Sequence, residues 1–371
     1  LSILDSKNEL LTFIKEKHKT IKAVVMPDFF HDRLINVETE PAEFFSAIED
    51  VTNRKGGSID GITQLEIRGG NAINTASALA SLGVKVTPIV ASNEMGFQQI
   101  KSHLRRYQID LSHVKIAKQA SLTTALEFKT QYGKANVMLR DLGSLQNFGP
   151  SDLSETDYEA IEKADYVCVF NWAGTKKFGT ALARNVFYKT KMRGNGKTYY
   201  DTADPTSNSE KILELMQNVL KTNLIDILSL NENEAISYAA ILDHNIRTSQ
   251  KNQRLEKMAI KAARVLVKHL TARIDLHATA FSGTFTKKKE VIVPTFKVKA
   301  LRATGAGDAW NAGNIFGDGL SLSDKCRLAL ANAVSAYYIS NTGGEHPTLK
   351  KLGEFIKKSA YNTLVLKEFT S

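Results

Sequence analysis

Arg302-Ala303-Thr304-Gly305-Ala306-Gly307-Asp308, running on into Ala309-Trp310-Asn311-Ala312-Gly313, joins a glycine turn to the start of a helical pattern. Two glycines let backbone N–H groups crowd toward a ligand, and the helix that follows turns its positive end to the same point. Such a turn attracts a phosphate. Asp308 falls in the first helical turn, where a carboxylate ordinarily caps. Beside bound anionic oxygens a spectator carboxylate is repelled, so the position suits a group that handles a proton. Taken alone, the segment also reads as a plain glycine turn with an acidic residue after it.

The remainder of the chain sets the scale for that turn. With 371 residues, 43% of them hydrophobic and 24% charged, the composition is that of a globular protein with a large core, as one large domain or two smaller ones. No apolar run reaches the length of a membrane span, and Leu1 to Thr20 is too charged for a secretion signal. The expectation is a cytoplasmic protein with no membrane partner. Cys168 and Cys326, the only cysteines, sit in apolar settings, which argues against a disulfide framework or a thiolate zinc site. The net charge of +10 comes from lysines in short groups such as Lys287-Lys288-Lys289 and Lys357-Lys358, without interleaved aromatics. That pattern reads as solvated surface rather than a nucleic-acid site, and it also suits attraction of phosphorylated substrates.

Hydrophobic spacing predicts a helix within Leu1 to Lys19, a buried first strand at Ile21–Met26 ended by Pro27, and a helix over Pro41–Asn53. An alternating strand follows near Ile62–Ile67, then Gly69-Gly70, a helix over Asn71–Leu82 stopped by Gly83, and a strand at Val84–Ala91. Ser121 to Leu139 alternates as an antiparallel hairpin turning at Tyr132-Gly133. Strands and helices then alternate: Tyr166–Phe170, Thr180–Lys189, Lys197–Asp201, Glu210–Thr222 and Ile225–Leu230. This βαβ rhythm predicts a parallel sheet covered on both faces. Gly194-Asn195-Gly196-Lys197-Thr198 is not a P-loop, because its first glycine is missing and a strand follows.

Four elements in order resemble the ribokinase-like, or PfkB, carbohydrate kinase family over roughly residues 21 to 358. They are Gly69-Gly70-Asn71-Ala72-Ile73-Asn74, Asn231-Glu232-Asn233-Glu234, Thr304-Gly305-Ala306-Gly307-Asp308, and Ala331-Asn332-Ala333 ahead of Thr342-Gly343-Gly344. The resemblance implies an α/β three-layer sandwich with a mostly parallel central sheet covered by helices, plus a small β-sheet lid. Residues 1–20 would be a helical extension, 21–360 the kinase domain with lid segments at about 33–67 and 118–141, and 361–371 a tail. It further implies a phosphotransferase that moves the terminal phosphate of a nucleotide, ATP or alternatively ADP, to a hydroxyl of a sugar or sugar-like molecule. Asp308 would be the base, and the backbone of Gly305, Ala306 and Gly307 the anion hole.

By the same resemblance Asp32, Gly69, Gly70 and Asn74 bind the sugar, with Asp28 a rival for the role of Asp32. Asn231, Glu234, Thr304 and Asn332 serve the nucleotide, and Asn231 with Glu234 hold Mg2+ through water. The lid leaves a homodimer open. A nucleoside acceptor is the first alternative, for which Phe29, Phe30 and Phe128 are candidates to clamp a base; a non-catalytic binding relative is the second. Three features depart from the family pattern. Arg302 stands where members that bind a monovalent cation carry an acidic residue, and its guanidinium is expected to replace that cation electrostatically. Asp275-Leu276-His277 replaces a glycine-containing turn, which points to an altered donor pocket with His277 or Thr279 as contacts. Residues 36 to 60 lengthen the lid.

Overall fold

The computed structural model describes residues 3–107, 109–131, 133–248, 254–302, 304–341 and 343–362. Its central sheet has eight strands. From edge to edge they are Glu290–Pro294, Phe281–Phe285, Arg273–His277, Ile227–Leu230, Lys197–Asp201, Tyr166–Phe170, Lys22–Met26 and Lys85–Pro88. From Arg273–His277 to Lys85–Pro88 every pairing is parallel, and the two strands at the other edge are antiparallel.

Residues one apart on a strand point to opposite faces, and here both faces are apolar, as parallel strands require. Ala23 and Val25 join one core with the helices Asn71–Ser81, Ala306–Gly319 and Asp324–Ile339. Val24 and Met26 join the other with Gly179–Arg193, Glu232–Leu242 and Leu255–His269. Gly313 lets two of these helices close together, since a Cβ there would lie 2.7 Å from the Cα of Ala331. The N-terminal helix Ile3–Phe13 is part of this body rather than an appendage, because Leu10 and Phe13 are buried in the first core.

A second sheet of four strands stands apart, in the order Thr63–Gly69, Phe30–Asn36, Leu122–Thr130 and Gly133–Asp141. Leu65, Leu122, Met138 and Leu139 remain exposed on it. The expected hairpin is present and longer than its alternation suggested, pairing Leu122 with Asp141 through to Thr130 with Gly133. The long insertion contributes the expected helix Pro41–Asn53, whose Phe44 and Phe45 rings lie 5.7 and 6.1 Å from the Phe128 ring.

Some expected elements differ. The strand expected to reach Ala91 stops at Pro88, which lacks a ladder donor, and Ala91–Ser92 pairs instead with Lys115–Ile116. The helix expected over 210–222 is broken into a 3₁₀ segment Pro205–Lys211, one α turn Ile212–Leu215 and a π turn Met216–Leu220. Tyr132, Ala303, Thr342 and residues 363–371 of the expected tail lie outside the described residues. Among the described residues no helix is long and apolar enough to cross a membrane.

Candidate active site

In an open parallel sheet, the loops leaving the carboxyl ends of the strands form the crevice where ligands bind. Here those ends carry Asp28, Asn171, Asp201, Asn231 and His277. The helix Ala306–Gly319 begins at the same end, because Gly307 packs on His277: a Cβ on the glycine would lie 3.2 Å from the imidazole Cε1.

Gly305 holds φ at +84°, a left-handed conformation that glycine adopts at little cost, and a Cβ there would meet the Tyr338 hydroxyl at 2.6 Å. The turn ends there and the helix starts. Its first inward hydrogen bond runs from the Ala309 N–H to the Gly305 carbonyl at 3.0 Å. The N–H groups of Ala306, Gly307 and Asp308 have no protein acceptor among the described residues, as expected for the start of a helix. They form a donor set at its positive end.

Asp308 is 5% exposed, and its carboxylate accepts from Asn71 Nδ2 at 2.9 Å and Asn74 Nδ2 at 3.0 Å. Both partners are neutral. Burial pushes the Asp308 carboxyl well above its ordinary range; the Asn74 and Asn71 bonds oppose this, while Asp201 and Asp28 add to it. A carboxyl so placed is a stronger base than one in water.

The two candidates for the sugar carboxylate are separated by their bonds. Asp28 is wholly buried and caps the helix Asn71–Ser81, accepting from the N–H groups of Asn71 at 2.9 Å and Ala72 at 2.8 Å, and from Asn171 Nδ2 at 2.9 Å. It orients the element that carries Asn71 and Asn74. Asp32, on the lid strand Phe30–Asn36, faces the cleft with Oδ1 buried and without a partner. Burial pushes its carboxyl up to about 6, against the Thr123 hydroxyl and Arg140. Gly69 lies against this carboxylate, and any side chain at that position would collide with it.

Asn231 and Glu234 meet as the spacing predicts, but they meet each other. Asn231 N–H and Nδ2 donate to the Glu234 carboxylate at 2.9 and 2.8 Å, and the Glu234 N–H donates to Asn231 Oδ1 at 3.0 Å, a reciprocal cap on the helix Glu232–Leu242. Burial drives the Glu234 carboxyl far up, and Asp201 pushes it further. Among the described residues no three His, Cys, Asp or Glu side chains form a direct metal cluster. Thr304 lines the cleft. Asn332 does not reach it: its Oδ1 accepts from Ser282 at 2.6 Å and Trp310 at 3.0 Å, and its Nδ2 donates to the Pro294 carbonyl at 3.0 Å. Its whole carboxamide is used to pin the helix Asp324–Ile339 to the sheet.

The departures around Asp275 take a different meaning from the one expected. Asp275 is buried between Arg273 and Arg327, at 2.8 and 2.9 Å, and belongs to an internal ion network rather than a donor pocket. His277 does lie beside the glycine turn; burial holds its imidazole below the ordinary range, and its Nε2 has no hydrogen-bond partner. Thr279 donates its N–H to Glu232 at 2.8 Å. Arg302 stacks on the Tyr338 ring at 5.3 Å and fills the space that a Cβ on Gly344 would need. Phe29, Phe30 and Phe128 are at most 3% exposed and are committed to packing.

Asp32, Asn74 and Thr304 share a cleft of about 660 Å³ with Arg68, Arg302 and His346. Sequence reasoning assigned no role to Asn71, Arg68, Asn171 or His346. Asn71 lies inside the glycine motif, and that adjacency was the one local signal available.

The family model described as pfkB family carbohydrate kinase matches residues 45–351. The ribokinase of Haemophilus influenzae is 27% identical over 300 residues, covering 78% of this chain and 87% of that protein. Among solved structures, Arabidopsis thaliana ribokinase complexed with ribose and ATP superposes with a TM-score of 0.67 at 17% identity, covering 92% of this chain and 99% of that one. A nucleoside kinase from Methanocaldococcus jannaschii superposes with a TM-score of 0.62 at 18% identity, covering 92% and 100%.

Proposed function

The chain belongs to the pfkB family of carbohydrate kinases, and from that membership we propose that it moves the terminal phosphate of ATP to a hydroxyl of a sugar. The acceptor oxygen forms a bond to the γ-phosphorus as the bond from that phosphorus to the β-phosphate oxygen breaks. ADP leaves, and the hydroxyl proton passes to Asp308. The single observation that carries this reading is the setting of Asp308: a buried carboxylate with only neutral amide partners, in the first turn of a helix whose leading N–H groups are unbonded.

Each residue then has a task. The amides of Ala306, Gly307 and Asp308 hold the charge of the transferring group, with donors already oriented before the reaction begins. Asn71 and Asn74 aim the base. Asp32 accepts hydrogen bonds from sugar hydroxyls on its unpartnered oxygen, and Gly69 and Gly70 allow the close approach. Lid strands bring Asp32 over the cleft, so closing on a sugar also excludes the water that would compete as acceptor. Magnesium, when bound, screens the phosphates. Asn231 and Glu234 fit it through water only, since their side chains are engaged with one another; the strongly raised Glu234 carboxyl is a group that a nearby cation would relieve.

The buried positions of Phe29, Phe30 and Phe128 favour a sugar over a nucleoside, because none is free to clamp a base. Nucleotide consumption by the purified protein, with ATP or ADP as donor and a panel of sugars and nucleosides as acceptors, tests the reading. Asp308→Asn is expected to keep the fold and cut turnover by at least ~10²-fold. Turnover like that of the unmodified protein would remove Asp308 from the mechanism.

A further inference from the structure

Arg68 projects from the lid strand Thr63–Gly69 into the cleft, partly buried, with neutral partners only. Its Nε donates to Asn74 Oδ1 at 3.1 Å, and its Nη2 lies 3.3 Å from His346 Nε2. Among the described residues no carboxylate lies within ion-pair distance of it. Withdrawing a guanidinium from water without an anion is costly. Here burial lowers its pKa, opposed by Tyr338, Tyr107 and the Asp308 carboxylate, while Arg106 adds to the lowering.

The surroundings increase the positive field. Arg106, Arg302 and His103 line the same cleft. Arg106 has a solvent-exposed ion pair with Glu345 at 3.4 Å, a kind worth little, and its guanidinium lies 5.3 Å from the centre of the Tyr107 ring. His346 is 4% exposed and stacked on Tyr338 with ring centres 4.6 Å apart, and its Nδ1 has no partner. Burial and the three arginines keep that imidazole uncharged, so it adds a polar atom without a further cation. The acidic groups of the cleft, Asp32, Glu66 and Glu127, come from lid strands, and Glu66 is already paired with Arg33 at 2.9 Å. The cleft therefore combines hydroxyl-accepting carboxylates with guanidinium donors: Asp32 and Arg68 come from lid strands, and Arg106 and Arg302 lie outside the lid sheet.

We propose that the acceptor is an anionic sugar derivative, whose phosphate or carboxylate substituent is held by Arg68 with Arg106 and Arg302 around it. The inference rests on the kinase reading and narrows its substrate class. A guanidinium offers two parallel N–H donors that match an oxyanion, whereas a neutral sugar would leave this one uncompensated. Arg68 is bonded to Asn74, which the kinase reading gives to the sugar, and this puts the oxyanion on the acceptor.

The test compares kcat/KM for matched acceptor pairs: a neutral sugar, the same sugar bearing a phosphate, and the same sugar bearing a carboxylate. One anionic member is expected to be preferred by at least ~10-fold, and the arms show which oxyanion it is. Arg68→Gln is expected to collapse that preference and Arg68→Lys to keep part of it. Because the readout is a ratio, a general loss transmitted through Asn74 cancels. Equal use of the neutral sugar, or a preference that survives in Arg68→Gln, overturns the inference. If no acceptor turns over, the kinase reading fails instead. Calorimetry on the Asp308→Asn protein with the same pairs then decides the inference alone: tighter binding of an anionic member supports it, and equal binding overturns it.

Discussion

Asp275 and Asp308 are both buried carboxylates that accept hydrogen bonds, one on the strand Arg273–His277 and one in the first turn of the helix Ala306–Gly319. Around Asp275, Arg273 and Arg327 supply charge, and Thr284 and Asn314 add bonds of 2.6 and 2.9 Å. Burial pushes the Asp275 carboxyl up, but the two guanidinium groups outweigh it and hold the acid below its ordinary range. Around Asp308 the partners are two carboxamides, and burial wins. Similar burial therefore leaves one acid held below its ordinary range and the other pushed well above it. The compensating charge, not the depth, distinguishes scaffold from site.

The contrast can be broken most forcefully at Asp275. Asp275→Asn leaves Arg327, itself 1% exposed, without its closest buried carboxylate, and a loss of about 3–5 kcal/mol is expected in denaturant unfolding at pH 7. Because the native acid is depressed, its contribution is present above the ordinary carboxylate range and is lost as pH falls through it, so the penalty shrinks in acid. An Asp275→Asn protein as stable as the parent would show that the network is not structural.

Asp308→Asn should act with the opposite sign and a smaller size. A raised native carboxyl favours the protonated form, so folding loses stability as pH rises from the unfolded value of 3.8 toward the native one. Asparagine avoids that loss. The variant is expected to match the parent near pH 4 and to unfold at higher denaturant at pH 7. A variant destabilised at pH 7 would mean that Asp308 is held as a paired anion, like Asp275.

Much of the fold was legible because its signals are local. The apolar runs at 22–26, 166–170 and 227–230, the glycine stops and the hairpin alternation each state their own element. Gly305, Gly307 and Asp308 could be read as a unit because a turn and the helix after it are contiguous in the chain. What stayed hidden depends on distant partners. Asp28 and Asp32 both lie just beyond the first strand as rivals for one role, and only the folded position of Asn71 makes one a cap and leaves the other facing the cleft. Asn332 looked like a ligand until Ser282, Trp310 and Pro294 met it across the core. Asp275 broke a turn pattern because a pair of arginines, one 52 residues downstream, required a carboxylate there. Arg68 carried no motif at all.

The most direct measurement is a carbon NMR titration of protein labelled at the aspartate carboxyl carbons, with Asp308→Asn and Asp275→Asn used for assignment. The Asp308 signal is expected to titrate well above the ordinary carboxylate range, while Asp275 stays ionised to the acid limit of the folded protein. An Asp308 signal that titrates near or below the ordinary aspartate value would contradict the account, because the acid at the helix start would then be an anchored anion and not a base.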